Sequence, residues 1–429
     1  MANLVRAILA NARSRFSRLF VPLSQPHSST KSAPRPQLLD EEIYENRDYH
    51  PVSLGDTFDS KRYTILRKLG CGRYSTVWLA SDSKCQRYVA LKLLRVGCYD
   101  SSHPVFEREI LEKIREVSQK SSHEGRKHVL PHIEHFNHRG PNGDHVCLTF
   151  DVLGHHLNLQ AVNSQYRRLP VKAVREIVRQ LLKGLDFLHR ECGVIHTDLK
   201  GQNILLELET PNDTVLDYLQ SVPPRTIKGQ DGGLVPLQED IKMPPVAEMA
   251  SLHIRIIDFG VSSWREKHLF EKIQPLALRA PEVAIGAPWD TGVDIWTLGC
   301  LKWATWTDED EHLARIIEVL GPFPSSLLRK GRLSAEFFHE TVITAPNCHS
   351  DALLNADRFH SPGKLIRGPS YTRSSLECML NGKVSPHNKP SGMSENEFAI
   401  FIDFLKGMLE IDPMKRKSAA QLLQHEWLS

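Results

Sequence analysis

Val194-Ile-His-Thr-Asp-Leu-Lys-Gly-Gln-Asn-Ile-Leu-Leu206 is the stretch whose reading decides the fold. It places His196, Asp198, Lys200 and Asn203 at the spacing H-x-D-x-K-x-x-N, which phosphoryl transfer explains residue by residue. Asp198 can accept the proton of an incoming hydroxyl, and Lys200 can reach the transferred phosphate. Asn203 can hold a metal ion together with a second acid. That acid is expected after a strand, and Ile254-Arg-Ile-Ile257 runs into Asp258-Phe259-Gly260. The alternative for the octet alone is a hydrogen-bonding pair at a turn. Further motifs in the same order decide against it.

Upstream, Tyr63-Thr-Ile-Leu-Arg-Lys-Leu69 reads as a strand leading into Gly70-Cys-Gly-Arg-Tyr-Ser-Thr-Val77. Gly70 and Gly72 let backbone N–H groups approach phosphates without Cβ obstruction, and Ser75 stands where a third glycine is usual. Tyr88-Val-Ala-Leu-Lys-Leu-Leu94 is a second strand carrying Ala90 and Lys92. A lysine inside an apolar strand is costly unless paired. The helix expected over 104–117 offers Glu109 as its partner, with Glu107 as the rival. Glu109 is preferred here because it precedes Ile110 and Leu111. His145-Val-Cys-Leu-Thr-Phe150 then runs into the connector Asp151-Val-Leu-Gly154. Backbone groups of Asp151 and Leu153 can read an adenine edge, with Phe150 as the wall behind.

Between that connector and His196, residues 171–190 show apolar positions at 3/4 spacing and predict an amphipathic helix. Downstream of Asn203, residues 207–252 are rich in Pro, Gly and Asp and are read as a largely disordered spacer. After Asp258 comes Ala280-Pro-Glu282. No Ser, Thr or Tyr lies between Trp264 and Ala280, and position 197 is Thr, so neither half of a phosphate-and-arginine switch is present. Asp294 opens an apolar helix, and Arg416 is the expected buried partner of Glu282.

Composition sets the bounds. At 429 residues the chain exceeds one core, so two lobes are expected. No apolar run reaches the ~18 residues of a membrane span. The eight scattered cysteines suggest reduced thiols in an intracellular protein. Of the net charge of +3, residues 1–39 supply +6 from six basic residues and no acid, so the rest carries −3. That near-neutral body predicts no direct nucleic-acid binding. The basic start reads as a mitochondrial presequence or a disordered tail, and 40–62 as an approach segment.

Together these motifs resemble the eukaryotic protein kinase family over residues 63–428. Within it they are most similar to the serine/arginine-rich-protein kinases, in the loop 69–79, the connector 145–157, Thr197 and the insertion site. The resemblance implies an α+β, bilobal kinase fold. It would have a mainly antiparallel β N-lobe at 63–150, a hinge at 151–154 and a mainly helical C-lobe at 155–428. It implies ATP and Mg²⁺ as cosubstrates, with Leu69, Gly70, Gly72, Val77, Ala90, Lys92, Glu109, Phe150, Asp151 and Leu153 around the nucleotide. Asn203 and Asp258 would hold metal, and Asp198 and Lys200 would do the chemistry. It also implies Arg/Ser-rich protein substrates, and a monomer in the cytoplasm and nucleus, or in mitochondria if 1–39 is a presequence. Gly201-Gln202 and 275–279 depart from the family pattern, and the stretch after Gly299 is shortened, which leaves a non-catalytic scaffold as the alternative. Asp308-Glu-Asp-Glu311 reads either as a site for Arg-rich substrate or as a solvated helix start.

Overall fold

A short strand, β1 (Thr57–Phe58), precedes five that follow from Tyr63 onward: β2 (Tyr63–Cys71), β3 (Ser75–Asp82), β4 (Arg87–Leu94), β5 (Glu134–Gly140) and β6 (Gly143–Phe150). They form one antiparallel sheet in the order β1-β2-β3-β4-β6-β5. The computed structural model describes residues 48–99, 106–164, 169–229, 232–300, 308–339, 364–368, 373–381, 389 and 392–429. The presequence reading of 1–39 and most of the shortened stretch, 301–307, lie outside them. Described residues fall into two units. One runs to Asn163 and takes in Gln202–Ser262. The other comprises Ser164–Gly201 and Ser263–Ser429.

In the sheet unit, one face of the alternating strands buries Phe58, Tyr63, Ile65, Trp78, Val89, Leu91 and Cys147 in a single cluster. Helix α1 (Glu107–Lys120) buries Glu107, Ile110, Leu111 and Ile114, an i, i+3, i+4, i+7 stripe.

The spacer expectation is corrected. Within 207–252, Pro211 at the first turn starts a helix through Ser221, and Thr226–Lys228 pairs with Leu234–Pro236. Val215, Tyr218 and Ile241 join Leu79, Val152 and Leu208 in a second apolar cluster. The domain boundaries change accordingly. The segment expected inside the C-lobe, from Gln202 to Ser262, belongs to the unit that carries the sheet.

The helical unit is built on Val171–Asp186, whose buried stripe includes Val174, Ile177, Val178, Leu181 and Leu185. A π-type turn over Phe187–Cys192 ends at Gly193, whose φ of +64° needs no Cβ penalty there. The chain then enters Val194–Ile195, paired with Ser263–Trp264. Helix Gly292–Cys300 is buried from Val293 onward. Helix Glu395–Met408 is capped by Ser394 Oγ, which accepts from the Glu397 N–H at 3.1 Å. Among the described residues no helix is long and apolar enough to cross a membrane, and the described cysteines are free thiols.

Candidate active site

The sheet unit holds a cavity of about 380 Å³, a size that suits a small ligand. Leu69, Gly70, Gly72, Val77, Ala90, Lys92, Phe150, Asp151, Leu153, Asn203 and Asp258 all line it, as the sequence suggests. The turn from Cys71 to Ser75 is closed by the Gly72 N–H donating to the Ser75 carbonyl at 2.9 Å. Register sets two further walls. Val77 lies opposite Lys92, and Ala90 lies opposite Phe150.

Lys92 shows how the polar end is built. Its Nζ donates to Glu107 Oε1 at 2.6 Å and to Asp258 Oδ1 at 2.9 Å. Burial works to lower the ammonium's pKa, but the Asp258 and Glu107 carboxylates outweigh it and hold it above the ordinary lysine range. Burial pushes the Glu107 carboxyl up, against the pull of Lys92. The expected partner Glu109 is thereby corrected to Glu107. Glu109 sits beside Arg108, 2.6 Å from Nη2, on the outer side of α1. The reason is helical phase. Residues 107, 110 and 114 share one stripe, whereas a sequence neighbour of Ile110 is turned about 100° from it.

Asn203 precedes the strand Ile204–Leu206 and Asp258 follows the strand Ile254–Ile256 by two residues; Ile204 faces Ile256, and the Ile257 N–H donates to the Asn203 carbonyl at 3.0 Å. The register therefore brings the two residues to the same end of the ladder. Asp258 adopts φ +67°, a left-handed conformation that Asp tolerates better than most residues. An amide oxygen and a carboxylate are hard oxygen donors. They fit a Mg²⁺ ion that completes its shell with water and phosphate oxygens.

Sequence reasoning missed other lining groups, among them Leu111, Leu130 and the segment Gln238–Ile241. The first two carry only apolar character as a signal. The third is brought there by the folding of the insertion.

The helical unit holds the loop that carries Asp198. Asp294 is fully buried and organises it. Its carboxylate accepts from the backbone N–H of His196 at 2.8 Å and of Thr197 at 2.9 Å, and contacts His189 Nε2 at 2.8 Å. Burial works to raise this carboxyl, but the hydrogen bonds and positive field of His189 and His196 hold it below the usual range. Thr197 sits at φ +65°, an uncommon conformation for a β-branched residue. The Asp294 bond to its N–H holds the loop in that shape. Three residues beyond Thr197, Lys200 Nζ donates to Asp198 Oδ2 at 2.5 Å. Asp198 is thereby held beside the Lys200 side chain.

Glu282 and Arg416 form the expected buried pair, with Nη1–Oε1 at 2.6 Å and Nη2–Oε2 at 2.9 Å and neither side chain exposed. The segment before Glu282 is held by side-chain bonds from Gln274 and Arg279. Gln274 Nε2 donates to the Val293 carbonyl and Thr297 Oγ1 at 2.9 and 2.6 Å, and its Oε1 accepts from the Ala280 N–H at 2.9 Å. Arg279 bonds the Ile273 and Gln274 carbonyls and Glu309. The acidic turn at 308–311 is largely engaged within the fold. Asp308 caps the Glu311 N–H, Glu309 pairs with Lys272 and Arg279, and Asp310 pairs with Arg367. This agrees with the helix-start reading of that turn.

Residues 63–313 match the protein kinase domain family. Similar proteins include protein kinase dsk1 of Schizosaccharomyces pombe, 30% identical, with 90% of this chain and 84% of that protein covered. Serine/threonine-protein kinase SRPK of Physarum polycephalum is 31% identical with 90% of each covered. Mouse SRSF protein kinase 3 is 26% identical with 95% of each covered.

Proposed function

Since the chain belongs to the protein kinase family, as a serine/threonine kinase of the SRPK type, we propose that it transfers the γ-phosphate of ATP to serines in Arg/Ser-rich protein segments. The observation that carries the nucleotide half is Lys92, ionised between Glu107 and Asp258, inside a cavity rimmed by a glycine turn and a strand-end connector. A fixed cation there can orient the α- and β-phosphates. The Gly72 turn offers backbone donors to the phosphates, and the Asp151 and Leu153 backbone offers polar groups to the adenine edge. Asn203 and Asp258 would hold Mg²⁺, which when bound offsets phosphate charge and fixes its orientation.

In the transfer itself, a serine oxygen attacks the γ-phosphorus as the bond to the β-phosphate oxygen breaks. Asp198 takes the hydroxyl proton and ADP leaves with the electron pair. Lys200 offsets charge on the transferred group. The acceptor class rests on the likeness to kinases such as SRSF protein kinase 3.

The same proposal holds that turnover needs no activation-loop phosphate. Support comes from the absence of any hydroxyl residue between Trp264 and Ala280, and from the Gln274 and Arg279 bonds that hold that segment with neutral and internal partners. The test is incubation of phosphatase-treated and untreated protein with Mg²⁺, labelled ATP and one of three peptides: an Arg-Ser repeat, an Arg-Ala repeat or an Arg-free serine peptide. Label in the Arg-Ser peptide alone is expected. Equal rates on an Arg-free serine peptide would overturn the acceptor class, and loss of turnover after phosphatase would overturn the autonomy.

A further inference from the structure

The insertion does more than pack on the sheet. Its segment Gln238–Ile241 forms part of the cavity wall, and two anchors fix where it runs. The Glu239 N–H donates to the Lys68 carbonyl at 2.9 Å, and Gln238 makes a parallel bridge with Lys68, immediately before Leu69 and the glycine turn. At the other end Met243 closes over the connector. Its sulfur accepts from the His155 N–H at 3.0 Å, and a Cβ added at Gly154 would lie 1.7 Å from it.

Asp240 is therefore strung between the start of the phosphate cradle and the end of the adenine-reading connector. In a nucleoside triphosphate the group between base and phosphates is the sugar. Glu239 also borders the cavity, but both its carboxylate oxygens are used by the fold, accepting from the Tyr218 O–H and the Arg225 N–H. Asp240, one residue on, is exposed and lines the cavity.

His156 lines the same cavity. Its Nδ1 accepts from the Leu159 N–H at 3.1 Å, so the neutral ring carries its proton on Nε2 and presents a donor. Burial lowers the His156 pKa, opposed by Asp240, which keeps the ring neutral at pH 7. A carboxylate acceptor and an imidazole donor suit a pair of neighbouring hydroxyls.

We propose that Asp240, supplied by the insertion, together with His156 recognises the ribose hydroxyls, so that the insertion selects ribonucleotides over deoxyribonucleotides. This rests on the nucleotide reading of the cavity given above. Removing a hydroxyl that this partly exposed site bonds is expected to lose about 10- to 100-fold in specificity.

The test measures kcat/KM on the Arg-Ser peptide with ATP, 2′-deoxy-ATP and 3′-deoxy-ATP, and Mg²⁺-nucleotide binding by calorimetry, for the wild type, Asp240→Ala and Asp240→Asn. The wild type is expected to prefer ATP over at least one deoxy analogue by about tenfold or more. Asp240→Ala should lower kcat/KM for ATP by about that factor, leave that analogue within about twofold, and so erase the preference. Asp240→Asn, which keeps an acceptor oxygen, should fall between. An equal loss on all three nucleotides, or no change on any, overturns the ribose assignment while leaving the kinase reading intact. Absence of any nucleotide binding by the wild type overturns both. Selective binding without turnover overturns only the proposed reaction.

Discussion

Replacing Glu107 by Gln separates the two candidate partners of Lys92 and isolates what the carboxylate does. The side chain keeps its shape and can still accept a hydrogen bond, so only the negative charge is removed. Lys92 and Glu107 are 8% and 2% exposed, and their atoms are 2.6 Å apart. A charge-assisted hydrogen bond contributes about 1.5–3 kcal/mol and a neutral one about 0.5–1.5, so the change costs about 1–2 kcal/mol of Lys92 positioning. Lys92 keeps Asp258 at 2.9 Å, which limits the loss. Converted to rate, kcat/KM for ATP should fall about 5- to 30-fold. Glu109→Gln removes a charge that pairs with Arg108 and lies away from Lys92 and should change kcat/KM by no more than about twofold. The assay is steady-state phosphorylation at saturating peptide with ATP varied, alongside urea midpoints showing both variants folded. A large loss in Glu109→Gln with a near-native Glu107→Gln would refute the pairing and the argument from helical phase.

Other consequences can be checked on stability. Arg416→Ala leaves Glu282 charged, buried and without its bidentate partner, and the carbonyls of Gly292 and Glu410 lose a donor. A loss of about 3–5 kcal/mol is expected in urea unfolding, and a loss under about 1 would contradict the geometry. Acid should destabilise the fold well before the carboxylates protonate. Burial pulls His312 and His132 down to about 4, while an unfolded histidine titrates near 6.5. Between those values the unfolded chain binds protons that the native chain does not. Stability from these groups is therefore complete above about pH 6.5 and lost as pH falls toward 4, by up to about 1.4 kcal/mol per unit for each fully buried ring. His312, 4% exposed with Nε2 2.8 Å from the Arg279 carbonyl, tests this. His312→Gln should flatten the pH profile of the urea midpoint, and an unchanged slope would remove it from that role.

What could be read from the sequence was whatever local spacing fixes. The order of strands, the glycine turn, Lys92, the loop at 196–203 and Asp258 follow from short motifs whose residues must be close in sequence to work together. Arg416 and Glu282 are 134 residues apart, and that pairing was legible only through the resemblance to the kinase family, since no local spacing links the two. Glu107 was harder because helix phase depends on where the helix begins, here only at Glu107 itself. The insertion was misread because Pro and Gly mark turns as readily as disorder. Val215, Tyr218 and Ile241 are spread over 27 positions and form an apolar face only after docking beside Leu79. Asp240 carries no local signal at all. Its place in the cavity wall comes from backbone bonds to Lys68 and from Met243 over Gly154.

The most direct measurement is turnover of Asp198→Asn beside the wild type, with Mg²⁺, labelled ATP and an Arg-Ser peptide, together with ATP affinity by calorimetry. Loss of the proton acceptor, with Lys92 and its carboxylates untouched, should lower kcat by about 10² or more while ATP affinity stays within about threefold. Near-native turnover in Asp198→Asn would contradict the account at its centre.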